Sequence, residues 1–405
     1  MIEPKLRFKA DDGSQFPDWE EHNFGDLYKV CSGYAFKYEN YCDSGVALIN
    51  GQSIQHGWID DNNMNYLPEA FLQQYEDFAL KENDIVLGLN RPITNGKLKM
   101  ARVPKEYNNS LLYQRAGKIV CKKAVDDDFS YALLAREIFK FTIKEAAGSD
   151  QPFISTSKLN NWKIIVPSSE QEQQKMAEFL STIDTVIKKQ KETVSAWEER
   201  KKGVMQKLFS QEVRFKTKEG SEFPDWEEKK LGKVFTERTE RSKGGESLLS
   251  VTIAQGIVKQ SETDKRNITS ENKSNYKIVK KNDLAYNTMR MWQGAEGVSE
   301  YDGIVSPAYT VITALDGNNS YFFKTMFKQT FMLQVFQRFS QGLTSDTWNL
   351  KFPAFSEIKC LIPCEDEQNK IAECVAVLDE VIEKQKATLA AWEELKKGLL
   401  QQMFV

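Results

Sequence analysis

The sequence predicts an α+β protein: two mixed α/β domains joined and separated by two long antiparallel coiled-coil helices with pseudo-two-fold symmetry. Three observations predict it. The 405-residue chain repeats itself, at a spacing of 207 for one block and 195 for another. The block repeated at 195 carries a heptad of apolar residues. Between the repeats lie two unlike stretches with short strand and helix patterns.

Arg7-Phe8-Lys9 and the run Gly13-Ser14-Gln15-Phe16-Pro17-Asp18-Trp19-Glu20-Glu21 recur as Arg214-Phe215-Lys216 and Gly220-Ser221-Glu222-Phe223-Pro224-Asp225-Trp226-Glu227-Glu228. Residues 172–209 align without gaps on 367–404, and 21 of those 38 positions are identical. Fainter landmarks share an offset of 199: Ile54 and Gly57 face Ile253 and Gly256, and Asn83-Asp84-Ile85 faces Asn282-Asp283-Leu284. Duplication followed by divergence of one segment explains this pattern. The expected boundaries are 1–168 for the first domain, 169–210 for the first long helix, 211–364 for the second domain and 365–405 for the second long helix.

In the first domain, residues 85–87, 118–121 and 163–167 read as strands and 131–143 as a helix. Its charge is uneven. Residues 1–84 carry a net −10, whereas 85–123 carry a net +8. Arg91, Asn95, Lys97, Lys99 and Arg102 lie in that basic stretch, around Gly96 in an expected loop. Cations suit phosphate oxygens and an asparagine amide suits an adenine edge. A solvated charged face is the other reading of this run, and the favoured one for a lone run.

The first long helix starts after Pro167-Ser168-Ser169, with Glu170 and Glu172 in its first turn. Its heptad places Met176, Leu180, Ile183, Ile187, Gln190, Val194, Trp197, Lys201, Val204 and Leu208 on one seam. The second copy gives Ile371, Val375, Leu378, Ile382, Gln385, Leu389, Trp392, Lys396, Leu399 and Met403. Such a seam needs a partner helix, and the matching copy supplies it. Gln190, Gln385, Lys201 and Lys396 read as register devices, or as solvated seam ends. Trp197 and Trp392 read as core, or as docking points on the outer helix face.

In the second domain, residues 284–287, 308–312 and 358–362 read as strands and 321–339 as one helix. Residues 229–300 carry a net +5. Arg290-Met291-Trp292-Gln293-Gly294 follows the first of these strands. It offers a guanidinium for a guanine edge, an amide for an adenine edge and an aromatic face. Core packing is the other reading of Trp292. Arg241 and Lys243 sit in a second polar loop, residues 239–245.

Several classes are excluded. The net charge of −3 rules out binding of nucleic acid by uniform basicity, though not a local basic surface. Phe, Tyr and Trp are too many for a disordered chain. No stretch approaches the ~18 continuous apolar residues of a membrane span. The opening residues lack the apolar core of a signal peptide. Six scattered Cys suit a reducing compartment, so a cytoplasmic location is expected. Gly96-Lys97, Gly117-Lys118 and Gly232-Lys233 are not followed by Ser or Thr, so no phosphate-binding motor loop is present. No dinucleotide fingerprint and no Asn/Asp-Pro-Pro-aromatic methyltransferase motif occurs. Cys360 and Cys364 lack zinc spacing. Two histidines, His22 and His56, rule out a histidine-rich metal site. Glu227-Glu228-Lys229 beside Pro224-Asp225 is too compressed for a nuclease metal site. It is expected instead to be a surface turn with Phe16, Phe223, Trp19 and Trp226 packed inward.

The duplicated Glu172-Gln173, Lys175, Ala177-Glu178, Trp197-Glu198-Glu199 and Lys201-Lys202-Gly203 pattern carries a family likeness over essentially the whole chain. The stretch 282–287, the 290–294 turn and Gly303-Ile304-Val305-Ser306-Pro307-Ala308-Tyr309 add to it. The chain resembles the specificity subunit of type I restriction–modification systems. The first domain departs from the pattern, with Leu87-Gly88-Leu89-Asn90-Arg91 where the second has Tyr286-Asn287-Thr288-Met289-Arg290.

The resemblance implies a non-catalytic reader of double-stranded DNA. Each domain is then a target recognition domain for one half of an asymmetric bipartite site. The seam (Leu180, Ile183, Ile187, Val194, Trp197, Val375, Leu378, Ile382, Leu389 and Trp392) sets the spacing between halves. The helices dock two modification subunits. No cofactor is expected in this chain: S-adenosylmethionine belongs to the modification subunit, and ATP and Mg to the restriction (motor-nuclease) subunits of the full complex. No membrane partner is expected. Two other readings compete: a structural coiled-coil adaptor, and a fused methyltransferase–nuclease.

Overall fold

Two proline-free runs make the longest elements. In the computed structural model, which describes residues 4–62, 64–122, 125–145, 152–253, 255–262, 273–344 and 347–404, they are the helices Glu170–Phe209 and Glu365–Met403. Each opens on acidic residues (Glu170 and Glu172; Glu365, Asp366 and Glu367), where the helix dipole favours negative charge. The chain groups into two compact units. The first takes residues 1–191 with 388–405, and the second takes 192–387. Each unit therefore contains a stretch of both long helices.

The first unit is built on a four-stranded antiparallel sheet. Its strand order is Tyr28–Ser32, Ala116–Cys121, Ile85–Gly88, Met100–Arg102. Side chains alternate across the sheet, so Ile85 and Leu87 face one core and Val86 faces another. The first core fills with Phe129, Leu133, Leu134 and Ile138 of helix Asp127–Glu145, and with Met176, Leu180, Met403 and Phe404 from the long helices. The second core is closed by Ile49, Ile54, Ile59, Leu80 and Leu112. A three-stranded sheet (Asn65–Leu67, Val46–Ile49, Leu111–Leu112) flanks it.

The second unit repeats this plan. Its sheet runs Phe235–Glu237, Tyr309–Ala314, Leu284–Asn287, Glu296–Val298, again antiparallel throughout. Leu284 and Tyr286 face a core rich in phenylalanine, with Phe235, Phe322, Phe323, Phe327, Phe336 and Phe355. Ala285 faces the other core with Val251, Ile257, Val305 and Val311.

Two sequence expectations need correction. The single helix over 321–339 is two, Ser320–Phe327 and Thr330–Phe339. Gln329 between them is extended (φ −72°, ψ 143°), and its side-chain amide caps the Thr325 carbonyl at 3.0 Å. The expected surface turn at Glu227 is an exposed strand, Glu227–Lys230, paired with Lys359–Ile362, as Trp19–Asn23 pairs with Lys163–Pro167. Phe16, Phe223 and Trp226 are nevertheless buried, and Trp19 is half-buried.

The duplicated entry motif has a shared structural purpose. In the first unit Arg7 grips the buried Glu172 carboxylate at 2.8 and 3.0 Å, and Gln173 donates to the Pro167 carbonyl at 2.9 Å. In the second, Arg214 grips Glu367 at 2.7 and 3.1 Å, and Gln368 donates to Pro363 at 2.9 Å. The Gln173 and Gln368 carbonyls accept from the backbone of Asp126 and Asn319, just ahead of a domain helix. The Glu-Gln pair thus locks strand, domain helix and long helix together.

Within each unit the two long-helix stretches run antiparallel. Asp184–Lys396 (2.5 Å) and Lys191–Glu393 (2.9 Å) bridge them in the first unit. Lys201–Asp379 (2.5 Å) and Lys386–Glu198 (2.9 Å), at the equivalent repeat positions, bridge them in the second. Beneath these bridges, Leu180, Ile183 and Ile187 are buried and Leu389 and Trp392 half-buried in the first unit. Val194, Val375 and Ile382 are buried and Trp197 and Leu378 half-buried in the second. Lys201 therefore sets register through a partner carboxylate. Lys201→Glu should lose about 0.5–1 kcal/mol, and Asp379→Lys added to it should restore most of that, as read by a double-mutant cycle in urea.

Candidate nucleic-acid interface

The turn after strand Leu284–Asn287 is held by its own backbone. Thr288 N–H donates to the Ala308 carbonyl at 3.2 Å, and Leu350 N–H donates to the Thr288 carbonyl at 2.8 Å. The Asn287 side chain accepts from Met289 N–H at 3.0 Å. One 3₁₀ turn, Met291–Gln293, follows and is closed by Gly294 at φ +79°, a conformation glycine adopts without strain. Met291 is fully buried and anchors the turn from below. Trp292 donates its indole N–H to the Met289 carbonyl at 3.1 Å and meets Trp348 edge-on at 5.2 Å. So Trp292 is a structural side of the turn. Arg290 and Gln293 are half-buried, and no hydrogen bond or ion pair engages their side chains among the described residues.

The corresponding segment of the first unit contains an element that sequence reading treated as a loop. Ile93–Thr94 and Lys97–Leu98 form a hairpin. Its two turn residues, Asn95 (φ +51°) and Gly96 (φ +72°), have the left-handed backbone that the tight hairpin turn requires. Arg91, Asn95 and Lys97 are exposed on and beside it. Lys99 and Arg102 are different. Lys99 is buried and its ammonium donates to the Gly51 carbonyl; burial, then the nearby Arg91 charge, push its pKa down. Arg102 bonds Asp128 at 2.7 Å and the carbonyls of Asp127 and Asn83, with its guanidinium 5.1 Å over the Tyr131 ring. Both cations are occupied with protein groups.

In the polar loop 239–245, Arg241 donates to the Asn275 carbonyl at 2.6 Å. Lys243 is exposed, but its backbone N–H and that of Gly244 point at the Glu246 carboxylate, at 2.8 and 3.1 Å. Ser242 adds a third bond at 2.7 Å. These donors push the Glu246 pKa down to about 2, the Ser242 hydroxyl contributing most. The loop's backbone donors are thus filled by its own carboxylate. The Lys243 ammonium is left as the loop's cation without a partner among the described residues.

Among the described residues no group of three His, Cys, Asp or Glu is placed to hold a metal ion, and no helix is long and apolar enough to cross a membrane.

Residues 17–195 match the family described as type I restriction modification DNA specificity domain. The chain is 36% identical over 218 residues to the MjaVIII type I restriction enzyme specificity subunit of Methanocaldococcus jannaschii, a match covering 53% of this chain and 51% of that protein. It is 32% identical over 182 residues to the EcoAI specificity subunit of Escherichia coli, covering 43% and 31%. The matched regions span about half or less of the length of these curated relatives. The crystal structure of a type I restriction–modification S subunit from M. genitalium shares the fold, with a TM-score of 0.58 over 100% of this chain and 99% of that one, at 16% identity. The chain thus matches the DNA specificity domain family over residues 17–195 and is similar to type I specificity subunits.

Reading the sequence missed residues beside the first unit's hairpin. His56 Nδ1 lies 3.3 Å from the Leu98 carbonyl, and Gly57 N–H donates to the Met100 carbonyl at 2.8 Å. Trp58 is 53% exposed in the same loop. Arg115, also exposed, lies on the turn whose carbonyl accepts from Leu89 N–H at 3.0 Å. The Asn95-Gly96 pair was a hairpin signal in itself. The Ile54/Gly57 and Ile253/Gly256 landmarks marked the loop.

Proposed function

We propose that the chain is a type I specificity subunit that reads an asymmetric, bipartite site in double-stranded DNA, one half with each unit, and carries out no chemistry of its own. The observation that carries this reading is the turn 290–294. A guanidinium and an amide, without protein partners among the described residues, stand on a backbone pinned by Met291 and closed by Gly294. A rigid platform with uncommitted donors is what discrimination between base edges requires. In the first unit the hairpin places Arg91, Asn95 and Lys97 after the equivalent strand of the same sheet. Lys97 and Lys243 supply phosphate contacts, which add affinity without sequence choice.

The two long helices set the separation between half-sites and dock two modification subunits, which bring S-adenosylmethionine. Restriction subunits, with ATP and Mg, complete the complex, and its setting is the cytoplasm. Stiffness is the physical reason for a helical spacer: two linked sites engage together only when the linker matches the span.

Arg290→Ala should relax base preference in one half-site, at a cost of about 1–3 kcal/mol in discrimination, and leave the other half-site and subunit assembly unchanged. Mapping methylated adenines in a genome expressing the variant with its modification partner measures this. A wild-type methylation pattern would remove the turn from the reading surface.

A further inference from the structure

We propose that the loop carrying Gln55, His56, Gly57 and Trp58 is a second DNA-reading element of the first unit, with Trp58 covering sugar and base edges next to those reached from the hairpin. This rests on the DNA-reading function proposed above.

The loop is built into the reading side of the sheet. Ile54 and Ile59 close it as a bridge, and both are buried in the core beneath. Its tip lies alongside strand Met100–Arg102 through the Gly57–Met100 hydrogen bond and a His56–Met100 bridge. The His56 contact with the Leu98 carbonyl makes Nδ1 the donor, so Nε2 is left to accept. That strand follows directly on the hairpin bearing Lys97. The loop and the hairpin are therefore neighbours on one stretch of surface.

About half of Trp58 is open to solvent, and its carbonyl accepts from Gln55 N–H at 3.0 Å. It makes no ring contact and its indole N–H has no hydrogen-bond partner among the described residues, although Trp is the costliest side chain to leave in water. The exposed Lys97, with no ion-pair partner among the described residues, stands on the neighbouring hairpin. Burial depresses the His56 pKa, the Leu98 carbonyl opposes this, and the charges of Lys97, Lys396 and Lys191 depress it further. An apolar face beside the exposed Lys97 ammonium fits a polyanion that also presents apolar sugars and thymine methyls. Duplex DNA is that ligand.

The second unit contains the same device with different contents. Its hairpin Leu249–Thr252/Gly256–Lys259 rests on strand Glu296–Val298, where a Cβ at Gly297 would stand 2.8 Å from the Gly256 Cα. Its exposed apolar side chain is Ile253, at 52%. A loop retained in place in both units, yet unlike in its exposed residues, is how two readers of different sequences would diverge.

The test uses the full chain co-expressed with its modification partner, with methylated adenines mapped genome-wide. Trp58→Ala should broaden base preference in one half-site and lower methylation of the wild-type site about tenfold, with the other half-site unchanged. Trp58→Phe should restore most of the preference. His56→Ala, at another exposed position, should broaden the same half-site, so the test survives if Trp58→Ala alone fails to fold. Wild-type patterns for Trp58→Ala and His56→Ala, with Arg290→Ala altering the other half-site, would overturn this loop and leave the DNA-reading function standing. Wild-type patterns for all three would overturn both.

Discussion

Arg7→Met should destabilise the first unit by about 3–5 kcal/mol, seen as an earlier unfolding transition in urea followed by circular dichroism. The cause is the carboxylate left behind. Glu172 is fully buried, and Arg7 supplies the hydrogen bonds that reach its carboxylate among the described residues, at 2.8 and 3.0 Å. Removal of Arg7 strands a charge whose remaining favourable field is that of the helix N-terminus, which contributes ~1 kcal/mol. Arg7 also donates to the Pro17 carbonyl at 2.7 Å, so the Phe16-Pro17 entry loosens with it. The double variant Arg7→Met/Glu172→Leu should recover most of the loss, because no charge is then buried. The repeat supplies an internal control. Arg214→Met should cost less, because Trp226 continues to donate to Glu367 at 3.1 Å, whereas the Trp19 indole N–H is buried without a partner among the described residues. Equal losses in the two variants would mean that the indole bond contributes nothing. A loss under about 1 kcal/mol from Arg7→Met would mean that water reaches Glu172 once the entry segment alone opens.

These repeats also explain why the long helices were legible and the proposed reading surface was not. A heptad depends on residue type alone: Leu180, Ile183, Ile187, Val375 and Ile382 are apolar wherever they pack, and 3.5-residue periodicity places them on one seam. The strands read at 85–87 and 118–121, inside the observed Ile85–Gly88 and Ala116–Cys121, announced themselves by short apolar, β-branched runs. The role of a cation cannot be read so simply. Lys97 and Lys99 are two residues apart in one basic run, yet Lys97 is exposed on the hairpin and Lys99 is buried against Gly51, where its backbone pairs with Gly88 and Pro92, partners the run itself does not reveal. Arg102 and Arg241 are engaged by Asp128 and by the Asn275 carbonyl, partners distant in sequence. The break at Gln329 escaped because helical periodicity is unaffected by one extended residue between two short amphipathic helices.

Glu296→Gln should remove a pH dependence from the second unit and stabilise it at alkaline pH by on the order of 4 kcal/mol. Glu296 is fully buried, and neither of its carboxylate oxygens has a hydrogen-bond partner among the described residues. The Lys328 ammonium is 3.8 Å away but is shared with the Ile253 carbonyl. Burial pushes the Glu296 pKa up from its ordinary value of 4.5 to about 8, with Lys328 and then Lys324 opposing. The folded unit therefore holds a proton that the unfolded chain releases above about pH 4.5. Stability is full below that pH, falls as pH rises towards 8, and levels off once the folded carboxyl has also ionised. In the Glu296→Gln variant no such slope remains. Denaturation midpoints measured from about pH 5 to about pH 9 would show the two curves diverging; parallel curves would mean that Glu296 is ionised throughout, paired with Lys328. The first unit indicates what this position tolerates. Leu87 pairs with Met100 where Tyr286 pairs with Glu296, so an apolar residue fills the matching place in the other sheet. Glu296→Met should behave like Glu296→Gln. Because Glu296 lies two residues beyond Gly294, its ionisation acts at the base of the Arg290 turn, and under the proposed function base discrimination by the second unit should weaken above about pH 8 while that of the first does not.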